Sequence, residues 1–201
     1  MKESEDRGNP VLLLLDFQEG VCREDGPIGR QGVGAEVARR GVLETAQRAL
    51  KWFRDQGYPV IHVRVAFDPE YHRLTSSSSR FASMRKHQML REDDPWAQFC
   101  PQLSPIPGEP VINKGGVNAF IGTQLSQLLN RLRPTELVLC GVATNHVVES
   151  TARFATDSGF PVVILEDACA SFDQELHQFA IERILPMYGQ VTSVALYQER
   201  G

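Results

Sequence analysis

Long apolar runs are missing from this 201-residue chain. Val11 to Leu15 is its longest unbroken aliphatic stretch, far short of the roughly 20 residues a membrane-spanning helix needs, and too short for a signal-peptide core. Met1 to Asn9, which precede it, are polar, so neither a membrane partner nor export is expected, and a cytoplasmic protein is. A concentrated basic stretch is missing too. Lysine and arginine (21) are scattered among 25 acidic residues for a net charge of −4, which leaves no footprint for nucleic acid and favours a small-molecule partner. Cysteine is sparse: Cys22, Cys100, Cys140 and Cys169 are far apart and contain no C-x-x-C pair. They are read as thiols in a reducing compartment rather than as a disulfide framework. No G-x-G-x-x-G follows the first apolar segment and no G-x-x-x-x-G-K-[ST] occurs, so neither a dinucleotide nor a P-loop nucleotide is indicated. No cofactor is expected.

What remains is a chain with 42% hydrophobic and 23% charged residues, enough for one buried core and short for two domains. A single domain over 1–201 is expected, with 1–9 as a polar tail. Strand-like and helix-like segments alternate. Val11 to Leu15 reads as a buried strand ending in Asp16. A helix is expected over 35–56, where Val37, Val42, Ala46, Ala49, Leu50 and Phe53 keep helical spacing. Tyr58 to Val65 is a second strand. Periodicity then disappears from 66 to 110, a loop long enough to suggest a lid or a subunit contact. Strands return at 110–114, 136–140, 161–165 and 191–194. Helices are expected over 124–132, with Thr123 as cap, and over 145–158 and 174–185. Such alternation implies an α/β fold with a mostly parallel sheet and helices on both faces.

Ligands in open parallel sheets sit at the carboxyl ends of the strands. Three ends stand out: Asp16, Lys114, and the turn Gly141-Val142-Ala143-Thr144-Asn145-His146-Val147-Val148. There Thr144 or Asn145 can cap a helix whose first N–H groups suit an oxyanion or a carboxylate. A carboxylate beside an ammonium in a dry cleft can hold a substrate and move a proton. The plainer reading is a structural ion pair.

Ordered motifs run along the chain: Leu-Leu-Asp-Phe-Gln (14–18), Val-Ile-Asn-Lys with Asn-Ala-Phe (111–120), Gly-Val-Ala-Thr-Asn (141–145), Glu-Ser-Thr-Ala-Arg (149–153) and Asp-Ala-Cys-Ala-Ser (167–171). Together they resemble the isochorismatase-like hydrolases, or cysteine hydrolase superfamily, which includes nicotinamidases, N-carbamoylsarcosine amidases, ureidoacrylate hydrolases and isochorismatases. The resemblance implies a three-layer α/β/α sandwich around a six-stranded Rossmann-like sheet, and a homo-oligomer, dimer or tetramer. It makes Asp16 and Lys114 the catalytic pair, and the Val142–Ala143 bond a cis peptide beside an oxyanion site. Gln18, Asn118, Phe120, Ala143, Thr144, Asn145 and His146 become candidate substrate contacts. Arg80 and Arg85, in the 66–110 segment, are candidates to read an acidic group. The zinc site of nicotinamidases is not implied, because Asp68 and His72 lack the Asp-x-His spacing; the metal expectation is none.

Where amidase members of that superfamily carry the nucleophilic cysteine, this chain has Val147. Isochorismatases also lack it and hydrolyse a vinyl ether by protonation. A hydrolase of a small metabolite, cutting a vinyl ether or a C–N bond with an Asp/Lys pair, is therefore expected. The alternatives are a catalytically silent member that binds a metabolite or serves as an assembly partner, and an amidase using Cys140 or Cys169.

Overall fold

Val11–Leu15 (β1) and Leu137–Val142 (β4) show no alternation of polar and apolar side chains, and every one of their residues is buried, as strands covered on both faces must be. In the computed structural model, which describes residues 9–200, they lie side by side at the centre of a six-stranded sheet. All pairs are parallel. The expected tail, apart from Asn9, lies outside the described residues. The chain runs β1, α1 (Glu19–Cys22), α2 (Val33–Arg40), α3 (Val42–Asp55), β2 (Val60–Val65), α4 (Ser79–Lys86), β3 (Val111–Lys114), α5 (Leu125–Leu132), β4, α6 (Glu149–Asp157), β5 (Val162–Ala170), α7 (Gln174–Phe179), β6 (Gln190–Thr192) and α8 (Val194–Gln198). The strand order is β3-β2-β1-β4-β5-β6. From β1 the chain winds outward one way, and from β4 the other way, so the crevice that opens where the order reverses lies at the carboxyl ends of β1 and β4. Edge strands β3 and β6 are short and partly exposed. Helices pack against the sheet as the third and first layers of an α/β/α sandwich.

Five expectations about elements need correction. The helix expected over 35–56 is two helices, because Gly41 adopts φ 61°, closing α2 and opening α3; the apolar spacing continues across the break and hides it. Segment 66–110 is not structureless. It contains α4, where Phe81 and Met84 are the buried residues of an otherwise polar helix, too few to register as a periodicity. Helix 145–158 begins as a wide π turn, Thr144–Val148, before α6, and neither Thr144 nor Asn145 caps it. Val194, read as the end of a strand, starts α8, with Ser193 Oγ accepting from Leu196 N at 3.3 Å. The helix expected from 124 starts at Leu125 with Gln124, not Thr123, at its N-cap; Thr123 Oγ1, one residue earlier, accepts from Leu125 N at 3.2 Å.

Candidate active site

The first strand delivers a carboxylate into the crevice by turning sharply. Asp16 has φ 59°, a left-handed conformation that Asp tolerates better than most residues. Its amide is held by Val63 O at 2.9 Å and its carbonyl by Gln18 N at 2.8 Å. Lys114, the last residue of β3, comes from two strands away with its side chain 1% exposed. Its Nζ lies 2.9 Å from Asp16 Oδ2 and donates to Gly116 O at 2.9 Å. The other carboxylate oxygen, Asp16 Oδ1, is buried without a partner. Burial pushes the Asp16 carboxyl above its ordinary 3.8, and the Lys114 charge and hydrogen bond offset only part of that.

The turn after β4 supplies the opposite wall. Pairing of β4 with β5 shifts register between Leu139 and Gly141, a bulge of the sort that re-aims side chains beside a site. The Val142–Ala143 peptide is cis. Two side-chain pins then hold the π turn from outside. Thr144 Oγ1 meets His177 Nδ1 at 2.8 Å, and Ser171 Oγ donates to Asn145 Oδ1 at 2.5 Å. His177 is backed by Glu166, whose carboxylate pairs with Arg40 at 3.1 Å.

Between these walls lies a cavity of about 480 Å³ of empty space, mouth included, with twelve apolar residues and four polar ones, Asp16, Lys114, Arg80 and His146, around it. Predominantly apolar lining with a few convergent polar groups is the usual make-up of a small-molecule site. Helix α4 leans in with Arg80, Phe81 and Met84, and β5 ends near Phe172. The Arg80 guanidinium lies 4.6 Å from the Phe172 ring centroid and donates from NH1 to His146 Nδ1 at 3.0 Å. Since arginine can only donate, Nδ1 is the acceptor and the neutral ring carries its proton on Nε2. Burial, then the nearby charges of Arg80 and Lys114, lower the His146 pKa to about 4. Burial also lowers that of Arg80, and among the described residues no carboxylate compensates it. A histidine whose folded pKa lies below its unfolded value contributes stability that is complete above 6.5 and is lost as the pH falls from about 6.5 to about 4. In side-chain NMR of the free protein His146 is expected to stay neutral at pH 5.5; a midpoint near 6.5 would contradict this environment.

The structure thus brings Asp16, Lys114, Arg80, Ala143, His146 and Val147 to one cavity. It places the other candidates elsewhere. Gln18 is fully buried, donating to Val65 O at 2.9 Å and Ala97 O at 3.0 Å and accepting from Val65 N, so its amide is consumed in extending the end of β2. Asn118 donates to Ser150 O and accepts from Phe120 N, both at 2.8 Å. Phe120 stacks on Phe154 with centroids 4.8 Å apart. Thr144 and Asn145 serve the pins described above. Arg85 is exposed on α4 and off the cavity wall. Among the described residues one group of possible metal ligands, Asp68, Glu70 and His72, lies outside the cavity on an exposed turn, with the Asp68 carboxylate accepting from His72 N and Arg73 N. Phe81, Met84 and Phe172 are among the wall residues that the sequence does not single out, with Val21, Ile28, Val33, Leu90 and Val117. The i, i+3 spacing of the first two was the available signal for an inward-facing helix.

No cysteine reaches the cavity wall. All four thiols are free and buried. Burial pushes Cys140 well above its ordinary range and Cys169 up to about 12, so neither forms a thiolate near neutral pH. Iodoacetamide under native conditions is expected to label none of the four within the time that labels an unfolded control. Rapid native labelling of Cys140 or Cys169, mapped by peptide mass spectrometry, would contradict this.

A family model described as Isochorismatase domain matches residues 10–195. The isochorismatase family protein YecD of Escherichia coli O157:H7 is 36% identical over 92% of this chain and 92% of its own length. Maleamate amidohydrolase of Pseudomonas putida is 28% identical, over 92% of this chain and 83% of that protein. The solved structure of a cysteine hydrolase from Pseudomonas syringae pv. phaseolicola superposes with a TM-score of 0.83 at 20% identity, covering 96% of this chain and 92% of that one, which is a likeness of fold. Sheet order, the position of the crevice and a match across nearly the whole described chain agree: this chain belongs to the isochorismatase family of hydrolases.

Proposed function

We propose that this chain hydrolyses a small anionic metabolite without a covalent intermediate, with Asp16 as general acid. The observation that carries the reading is the buried Asp16–Lys114 pair, one carboxylate oxygen unpartnered, at the wall of a cavity that no thiol reaches. Val147 stands in that wall, buried, at the position the resemblance gives to the nucleophile. A vinyl ether suits this machinery. The Asp16 proton passes to the terminal vinyl carbon, water adds to the oxocarbenium carbon and gives up a proton that returns to the Asp16 carboxylate, and the resulting hemiketal loses the alcohol to leave a ketone. Lys114 stabilises the carboxylate left behind when the proton departs. Arg80, a guanidinium with an aromatic shelf and no acid partner among the described residues, suits a substrate carboxylate.

The buried valine also favours a second reading, a silent member that binds the same metabolite and does not turn it over. A panel of isochorismate, a ureido acid and maleamate separates the two. Hydrolysis of the vinyl ether alone is expected from the natural chain, and gain of amide hydrolysis from Val147→Cys if the surrounding geometry still serves a nucleophile. Binding without turnover of any panel member would favour the silent reading.

A further inference from the structure

A second cavity, about 990 Å³ of empty space with its open mouth, shares Ile28, Arg80 and Met84 with the first. The two adjoin at these three residues. The inner one ends at Asp16 and Lys114. The outer one is bounded by the loop after α1 and by α4, and its polar side chains among the described residues are Arg30, Gln31, Arg80, Ser83 and His87, with no carboxylate. On a chain of net charge −4 this is a local reversal of sign. Arg30 uses Nε on Gly26 O at 3.3 Å, and its other guanidinium N–H groups can serve a further acceptor. Asp25, the acid whose charge Arg30 feels, is already clamped by Arg23 through two contacts of 2.9 Å. Cations, a hydroxyl and an amide around a common space, without an acid among them, concentrate anions there.

We propose that the outer compartment is a subsite for a second anionic group, a carboxylate or a phosphate, on a tail of the substrate remote from the bond that is cut. The proposal rests on the reading of the inner compartment as the place where the substrate reacts. Arg80 is the shared boundary, and Arg30 and His87, which do not touch the inner cavity, are the groups specific to the tail.

The test is calorimetric titration of the intact protein with α,ω-dicarboxylates from succinate to suberate, ω-phosphonocarboxylates of the same lengths, and matching monocarboxylates. It is repeated on the Arg30→Ala/His87→Ala double variant, whose two positions are exposed. At one chain length a doubly anionic acid is expected to bind about tenfold more tightly than its monocarboxylate, as an exposed charge contact from Arg30 with a hydrogen bond from the His87 ring can supply. The double variant should lose that advantage and keep the affinity for the monocarboxylate. A larger gain for the phosphonate than for the dicarboxylate would assign the tail to phosphate chemistry. Monocarboxylate binding with no advantage at any length, or an advantage that survives in the double variant, overturns the subsite while the inner reading stands. Absence of binding by every acid overturns both.

Discussion

Asp16→Asn is expected to lower turnover by about a hundred- to ten-thousand-fold, the range over which a positioned general acid acts. The amide has the shape of the carboxyl and its oxygen can still accept from Lys114 Nζ, now 2.9 Å from Asp16 Oδ2, but it has no proton to give. Two stability effects oppose each other. The variant no longer carries an ionisable group that burial penalises, and it leaves a buried ammonium with Gly116 O as its other acceptor. The net change should stay below about 3 kcal/mol, under the loss expected when a buried pair is simply broken. Because the Asp16 pKa is raised, the protonated donor is present below that pKa. Turnover should therefore decline as the pH rises through it, and stability contributed by Asp16 falls in the same direction. Full activity in Asp16→Asn, or a rate that climbs with pH across that range, would remove the acid assignment.

Gly141→Ala should be strongly damaging at the centre of the sheet. Gly141 pairs with Leu15 on one side and Cys169 on the other, with φ 157°. A Cβ there would lie 2.3 Å from Leu15 O and 2.5 Å from Leu15 Cβ. Those are backbone and near-backbone atoms of the central strand, directly before Asp16, and they cannot swing aside. A loss of about 3 kcal/mol or more is expected, near the upper end for overpacking, with a fall in Tm of about 10 °C. Gly41→Ala gives the comparison. Its φ is also positive, but the nearest atom to an added Cβ is a flexible Glu44 oxygen at 3.8 Å, so about 1 kcal/mol of backbone strain is expected there. Equal Tm values for the two variants, measured by thermal unfolding, would contradict the close approach of β1 and β4.

These two residues also mark what could be read from the sequence. Buried central strands announce themselves as Val11 to Leu15 and Leu137 to Cys140, and parallel topology follows from the helices between them. Asp16, Lys114 and the Gly141 turn were identifiable because a charged or flexible residue directly after an apolar strand is conspicuous. The contacts around Arg80 were not. They join residues 66 and 92 positions apart, His146 and Phe172, through a helix with two buried side chains, and spacing along a chain does not encode such a meeting. Gln18 shows the converse. A polar residue two places after Asp16 looks like a substrate contact, yet its amide satisfies Val65 and Ala97 backbone groups that would otherwise be buried unpaired. Thr144 and Asn145 fit a helix cap by composition, whereas the π turn leaves their side chains to His177 and Ser171.

Proton transfer from a buried Asp16 with no protein nucleophile can be followed by intact-mass spectrometry of the protein quenched during steady turnover of the panel acid it hydrolyses. Product in solution and an unmodified protein mass are expected at every time point. A substrate-derived adduct on any residue, Cys140 and Cys169 included, would contradict this.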